Sequence, residues 1–302
     1  MIASSFGKVA VLMGGTSNER DISLESGKAV LFALLRRKVD AVVVDPKNDD
    51  LEELKNFDRA FICLHGKDGE DGKIQTFLEK INIPYTGSDI LSSSLGMDKF
   101  KSKKIWKSKN ICTPEFIRVH DSDDFEKASK LCGVPFFIKP SNSGSSIGIA
   151  KVNNKEEFIY AFENAAKVDK IVIAESFVKG LEYTLPIIHF EPLPIIEIIT
   201  KTEFYDYEAK YLRDDTKFIC PADINQSLVK DINKECLDAF HSIGCDGWGR
   251  VDFIIDQNKI IHIIEINTVP GMTNHSLVPI SAKHAGIEFD DLVMMILETS
   301  NV

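Results

Sequence analysis

Residues 8–37 read KVAVLMGGTSNERDISLESGKAVLFALLRR. Lys8 to Met13 is an apolar run of strand length, Gly14-Gly15 ends it, and apolar residues return with helical spacing over Leu24 to Arg37. The pattern then repeats: Ala41 to Asp45 and Arg59 to Leu64 predict strands, His65 to Gly72 is a glycine-rich loop, and Lys73 to Lys80 predicts a helix. Strands alternating with helices predict an α/β fold that opens on a doubly wound parallel sheet. Ligands of such sheets gather at the carboxyl ends of the strands, where both glycine loops lie.

Beyond this unit, Asp98 to Lys109 predicts a lysine-rich helix. Strands follow at Glu115 to Val119, Pro135 to Lys139, up to Val152, and Ile171 to Glu175, with helices at Ser122 to Leu131 and Lys155 to Ala166. The last third is strand-rich, with a helix near Gln226 to His241 and two closing helices. These breaks divide the chain at Met97 and Thr184 into units of 1–97, 98–184 and 185–302. A chain of 302 residues is long enough for two or three cores. Its net charge of −10 gives it no electrostatic reason to seek nucleic acid or anionic lipid. The six cysteines form no C-x-x-C pair and sit mostly in apolar company, which predicts reduced thiols. Neither a secretory leader nor an apolar stretch of the ~20 residues that span a bilayer is present, so a cytoplasmic protein is expected.

The chemistry is concentrated near the end of the chain. Two apolar runs flank Asp256-Gln257-Asn258-Lys259, which predicts a hairpin. With Ile255 opposite Ile260, Arg250 faces Glu265 and Asp252 faces Ile263. Side chains alternate along a strand, so Arg250, Asp252, Glu265 and Asn267 share one face and His262 takes the other. Asp252 and Glu265 become diagonal neighbours, ~7–8 Å apart. Two carboxylates and an amide oxygen so placed suit Mg²⁺; the same residues would also make an Arg250–Glu265 salt bridge on a wet face. The surrounding isoleucines favour the metal, because unpaired charge on a buried face is costly. His262 reads as a packed or surface side chain.

Other segments have two readings each. Phe136 to Gly148, FFIKPSNSGSSIG, closes a strand with Lys139 and runs into a Ser/Gly loop. It would cradle phosphate oxygens or be an ordinary hairpin loop with a snorkelling lysine. No G-x-x-x-x-G-K-[ST] occurs, and residues 13–23 lack G-x-G-x-x-G. Glu19 is placed to hold a substrate ammonium, or to sit exposed in a first helical turn. Phe204 to Tyr211, FYDYEAKY, is aromatic and charged without period, and reads as a lid or a surface loop. Ser276 is a good N-cap for a helix from Leu277, whose N-terminus would suit a carboxylate.

Taken together, GGTSNERDISLESG, LHGKDGEDG, PYTGS, MDK, FIKPSNSGSSIG, FYDYEAKY, GWGRVDF and EINTVPGMTNHSLVP resemble the D-alanine–D-alanine ligase family of the ATP-grasp superfamily, in family order from residue 14 to residue 279. The resemblance implies three α/β domains with ATP between the central and C-terminal ones, and a homodimer. It implies ATP-dependent joining of two D-alanine molecules through a D-alanyl phosphate, with Mg²⁺ or Mn²⁺ as two ions, in peptidoglycan precursor synthesis. Lys99 and Lys139 would contact the ATP phosphates, Glu175, Phe177 and Val178 line the adenine pocket, Glu182 hold the ribose and Lys210 reach the γ-phosphate. Asp252, Glu265 and Asn267 would bind the metal.

By the same resemblance, Glu19 would hold the ammonium of the first D-alanine with His65 nearby. Ser276 and Lys210, beside Leu277, would hold the carboxylate of the second. Arg250 and the N–H of Gly271 would stabilise the oxyanion, and Glu19, Ser145 and Tyr211 would form a hydrogen-bonded set that closes the lid. One departure stands out: the family often has Lys-Trp after the adenine-pocket Glu, where this chain has Ser176-Phe177. Rival readings are a D-alanine–D-lactate ligase, which Tyr211 disfavours, and a nucleotide-binding protein without catalysis, which would be expected to lack a metal carboxylate or Arg250.

Overall fold

A computed structural model describes residues 6–200 and 216–300. Strands β1 (Lys8–Leu12), β2 (Asp40–Val44) and β3 (Arg59–Ile62) form a parallel sheet in the order β2-β1-β3. Helix α1 (Arg20–Arg36) connects β1 to β2 and buries Val30, Ala33 and Leu34. It starts ahead of its apolar period because its first turn is fixed by polar contacts: Ser23 Oγ donates to the Cys63 carbonyl at 2.7 Å and accepts from Gly14 N–H at 2.8 Å. Helices α2 (Lys73–Lys80) and α3 (Ile90–Met97) complete this part.

Helix α4 (Lys99–Ser108) leads into a second sheet, which is antiparallel. Its strands are β4 (Phe116–Val119), β5 (Phe136–Pro140), β6 (Ala150–Val152) and β7 (Val172–Ser176), in the order β4-β7-β5-β6. Helices α5 (Phe125–Cys132) and α6 (Lys155–Val168) cover it, with Phe136, Ile138, Phe158, Ala161 and Ala174 in its core.

The third sheet, also antiparallel, holds β8 (Gly180–Ile188), β9 (Glu191–Pro192), β10 (Ile196–Ile199), β11 (Lys217–Ile219), β12 (Trp248–Asp256) and β13 (Ile261–Asn267). Its order is β11-β10-β8-β12-β13, with β9 on β8, and α7 (Gln226–Ser242) packs against it. The last helices, α8 (Leu277–His284) and α9 (Phe289–Glu298), return to the first sheet. Val278, Ala282, Leu292, Val293, Ile296 and Leu297 share one apolar core with Val9, Val11 and Leu12. The chain therefore closes on its own beginning, and the loop between β13 and α8 is pinned at both ends. No helix among the described residues is long and apolar enough to cross a membrane.

Candidate active site

The β12–β13 hairpin keeps the expected shared face but not the expected pairing. Arg250 lies across from Asn267 and Asp252 directly across from Glu265, where Arg250–Glu265 and Asp252–Ile263 were expected. The cause is local. The Asp256 carboxylate accepts from Asn258 N–H at 2.8 Å and Ile260 N–H at 2.9 Å, and Lys259 takes φ 64°, so Ile255 pairs with Ile261 instead of Ile260. A bulge between Asp252 and Phe253 then adds one residue, Ile264, on β13. Residues directly opposite stand about 4.5–5.5 Å apart at Cβ, closer than the diagonal spacing expected. The bulge also overturns the placement of His262: it pairs with Ile254, on the face of Asp252, and contacts Asp256 Oδ2 at 3.4 Å and Cys112 Sγ at 3.5 Å.

Asp252 is buried and heavily bonded. Arg250 donates to it through Nε at 2.8 Å and Nη2 at 2.7 Å, Thr184 Oγ1 at 2.6 Å and Asn267 Nδ2 at 2.9 Å. Thr184 comes from β8, paired with Asp252, and Glu182 lies two residues away on the same face. Glu265 meets Lys99 Nζ at 2.9 Å. Burial would lower the Lys99 ammonium, but the Glu265 charge and hydrogen bond outweigh it and leave Lys99 raised. Among the described residues, no group of three or more His, Cys, Asp or Glu side chains is arranged to hold a metal ion. Asp252, Glu265 and the Asn267 amide put two carboxylates and an amide oxygen on one strand face, a hard-oxygen donor set of the kind that would suit a cation bringing further oxygens of its own.

A cavity of about 540 Å³ opens beside this face, lined by Glu19, His65, Glu70, Gly144, Ser145, Arg250, Glu265, Asn267, Gly271, Ser276 and Leu277, among others. Three separate segments are drawn together here. Glu19 occupies the N-cap position of α1 without capping it; its Oε1 accepts from Ser145 Oγ at 2.5 Å, across 126 residues of sequence. The exposed-acid reading of Glu19 therefore falls away. Ser145 and Ser146 both take positive φ, 51° and 57°, a conformation that costs about 1–3 kcal/mol per residue and is kept where surrounding contacts impose it. Arg20 and Asp45 fix the opposite end of the glycine loop: Arg20 Nη1 donates to the Gly15 carbonyl at 2.7 Å and Nη2 to Asp45 Oδ2 at 2.7 Å. The Arg20 hydrogen bond holds the Asp45 carboxyl down at about 2.

His65 and Ser276 turn out to organise the loop after β13. Val269 O can only accept, so the 2.9 Å contact puts the proton on His65 Nδ1. Burial lowers the imidazole pKa, so the ring is neutral and its Nε2 accepts from Ser26 Oγ at 3.1 Å. Ser26 Oγ in turn accepts from Met272 N–H at 3.0 Å. Both ring nitrogens are thus committed to protein groups. Ser276 is the N-cap of α8, as expected, yet its hydroxyl turns back to accept from Thr273 N–H at 2.9 Å and makes no side-chain cap bond. Glu70, not anticipated, accepts from Gly66 N–H at 2.7 Å and Val269 N–H at 3.2 Å. Burial, reinforced by the Glu19 charge, raises its carboxyl to about 8.

Of the residues expected at the nucleotide, Ser145 lines this cavity, whereas Lys139, Glu175 and Glu182 lie on β5, β7 and β8 and Phe177 and Val178 in the short β7–β8 link, none of them in its lining. Lys139 Nζ contacts Glu175 Oε1 at 2.5 Å; Phe177 lies tilted against Phe137, ring centres 5.9 Å apart, with Lys151 Nζ 4.4 Å from its ring centre. Lys99 joins the two regions, since the Nζ that meets Glu265 also donates to the Ser143 carbonyl at 2.7 Å. Lys103, also not anticipated, is fully buried, with Nζ 2.7 Å from Glu175 Oε2. Its clue was in the sequence: Lys99, Ser102, Lys103 and Trp106 form a helical stripe, and all four are buried. A lysine in such a stripe needs an anionic partner. Lys210, Tyr211 and the rest of FYDYEAKY lie outside the described residues.

Known proteins are similar to this chain in sequence and fold. Residues 105–298 match the family model of the D-ala D-ala ligase C-terminus, and residues 40–88 that of the N-terminus. A D-alanine–D-alanine ligase from Dechloromonas aromatica is 49% identical over 295 residues, 98% of each chain. The crystal structure of the D-alanine–D-alanine ligase from Bacillus anthracis superposes with a TM-score of 0.87 at 37% identity over 97% of each chain. The structure of the Bacillus anthracis ligase complexed with ATP gives 0.85 at 35% over the same shares. With a family model covering most of its length and a relative at 49% identity end to end, the chain belongs to the D-alanine–D-alanine ligase family.

Proposed function

We propose that the protein joins two D-alanine molecules, with ATP converting the first carboxylate into an acyl phosphate. The observation that carries this is the junction at Glu265: a buried lysine ties it to the phosphate-type loop at Ser143, while Glu265 itself lines the cavity that holds Glu19, Arg250 and Ser276. That contact supports a reading in which phosphoryl transfer and substrate meet at one point.

A carboxylate is a poor electrophile. Transfer of the γ-phosphoryl group to a carboxylate oxygen of the first D-alanine yields D-alanyl phosphate and ADP, and gives the acyl carbon a good leaving group. Glu19, oriented by Ser145, holds the ammonium of that D-alanine. Lys99, Lys139 and Lys210 offset the phosphate charge. Asp252, Glu265 and Asn267 would hold Mg²⁺ or Mn²⁺, two ions in all, which neutralises the transferring group when bound. The amine of the second D-alanine attacks the acyl carbon and loses a proton, and phosphate departs. Arg250 and the Gly271 N–H stabilise the oxyanion, in a cavity where such donors act at low dielectric. Ser276, Lys210 and Leu277 seat the second carboxylate. Glu175, Phe177 and Val178 would receive adenine and Glu182 the ribose. Glu19, Ser145 and Tyr211 would close the segment 204–211 over the substrates, and water exclusion protects the acyl phosphate.

The division 1–97, 98–184 and 185–302 then has ATP between the second and third units. A dipeptide of D-alanine serves cell-wall precursor synthesis, and dependence on ATP places the work in the cytoplasm; a homodimer is the assembly we expect. The test is phosphate release from ATP and Mg²⁺ with D-alanine, with L-alanine and with neither, together with product mass. Release and dipeptide with D-alanine alone are expected. A protein that binds ATP and releases nothing would refute the ligase.

A further inference from the structure

We propose that Lys103 is a positioning residue for the nucleotide: by gripping Glu175 from behind it keeps Lys139 aimed at the ATP phosphates, an inference that rests on the nucleotide reading of Lys139 and Glu175 above. Lys103, Glu175 and Lys139 are 0%, 1% and 8% exposed. Each carboxylate oxygen of Glu175 carries its own cation, Oε2 with Lys103 at 2.7 Å and Oε1 with Lys139 at 2.5 Å. Such a carboxylate does not rotate without breaking a buried ion pair, which is strongly unfavourable. Two ammonium groups on one carboxylate leave a surplus positive charge, and Lys139 is the member with surface to offer it outward. Lys103 has no exposed surface, so its effect on a ligand must pass through Glu175.

The other side of Lys103 is anchored as well. Its Nζ donates to Thr113 Oγ1 at 2.8 Å, and Thr113 Oγ1 donates to the Ile263 carbonyl at 2.7 Å. Ile263 belongs to β13, the strand of Glu265 and Asn267. A continuous polar row thus runs from the metal-type strand to Lys139. Burial pushes the Lys103 ammonium down to about 8 against the pull of Glu175, as expected for a cation held in place by its partners and not by solvent.

The experiment is steady-state kinetics of the full chain on Lys103→Met, Thr113→Val, Glu175→Gln and a double variant, four in all, with a control. Lys103→Met should raise KM for ATP by ~10-fold or more, the loss of one buried ion-pair partner of Glu175 acting on ligand affinity. At saturating ATP, kcat and the KM for D-alanine should move by less than about threefold, the split expected when only nucleotide binding is touched. Thr113→Val, which keeps the charge, should shift KM for ATP in the same direction by less, and decides the matter alone if Lys103→Met does not fold. In Lys103→Met with Glu175→Gln, KM for ATP should not exceed that of the worse single variant, because the two act in series. The control is Lys139→Met. A rise there with no rise in Lys103→Met or Thr113→Val overturns the inference and leaves the nucleotide reading standing; a flat response of Lys139→Met overturns both.

Discussion

Arg250 has two tasks at the scale of the single residue. Its guanidinium forks onto both oxygens of Asp252, and it also lines the cavity that holds Glu19 and Ser145. The fork orients the arginine at no cost in the reaction itself, which is what a preorganised oxyanion donor requires. Arg250→Ala should lower kcat by roughly 10²–10³-fold, the usual effect of deleting one such donor. Nucleotide affinity should survive, because Glu175 and Lys139 lie elsewhere. A near-normal kcat would remove Arg250 from the oxyanion role. Arg250→Lys keeps the charge and loses the fork, so it should resemble the alanine variant. The shared face of Arg250, Asp252, Glu265 and Asn267 was readable in advance, since strand alternation exposes it, but spacing alone left a metal site and a salt bridge both open. Lys103 and Glu70 escaped because their roles depend on partners 72 and 199 residues away, Glu175 and Val269, that no spacing reveals.

At the scale of the element, strand alternation placed Arg250, Asp252, Glu265 and Asn267 on one face, and the structure keeps that. The pairing failed because turn geometry, not apolar pattern, sets register, and the Asp256 side chain builds a longer turn than a minimal hairpin. Helix α1 likewise begins before its apolar stripe, where Ser23 satisfies two backbone groups that hydrophobicity does not register. The Ser/Gly loop of residues 141–148 tests how closely elements meet. A Cβ on Gly144 would stand 2.6 Å from Glu19 Oε1. The flexible carboxylate can turn aside, but only by giving up Ser145. Gly144→Ala should therefore cut kcat/KM for D-alanine by about 10-fold, the value of one charge-assisted hydrogen bond, with thermal stability unchanged. Unaltered kcat/KM would mean that the Ser145–Glu19 contact contributes nothing to substrate binding.

For the whole molecule, the return of α8 and α9 to the first sheet explains why residues from both ends of the chain share one cavity. The strands of the first two sheets and the β12–β13 hairpin could be read singly, while β8 to β11 were legible only as a strand-rich stretch; that the last helices fill the first core could not be read, because an apolar helix face does not name its partner. This closure buries Glu70 between the His65 loop and Val269. Its folded pKa of about 8 lies above the ordinary ~4.3 of a glutamate, so between those values the native state binds more protons than the unfolded state. Stability from this residue is full at the acid end of the window and is lost as pH rises through about 8. Glu70→Gln should flatten the decline in thermal midpoint between pH 6 and pH 9. An identical slope in both proteins would show that Glu70 ionises freely in the fold.

The claim that joins all three scales is that the carboxylate and the phosphoryl group meet at Glu265 to make an acyl phosphate. D-alanine carrying ¹⁸O in its carboxylate, turned over with ATP and Mg²⁺, tests it most directly. The carboxylate oxygen that attacks the γ-phosphorus leaves with phosphate, so one ¹⁸O should appear in each phosphate released with dipeptide. Dipeptide formed with unlabelled phosphate would contradict the account.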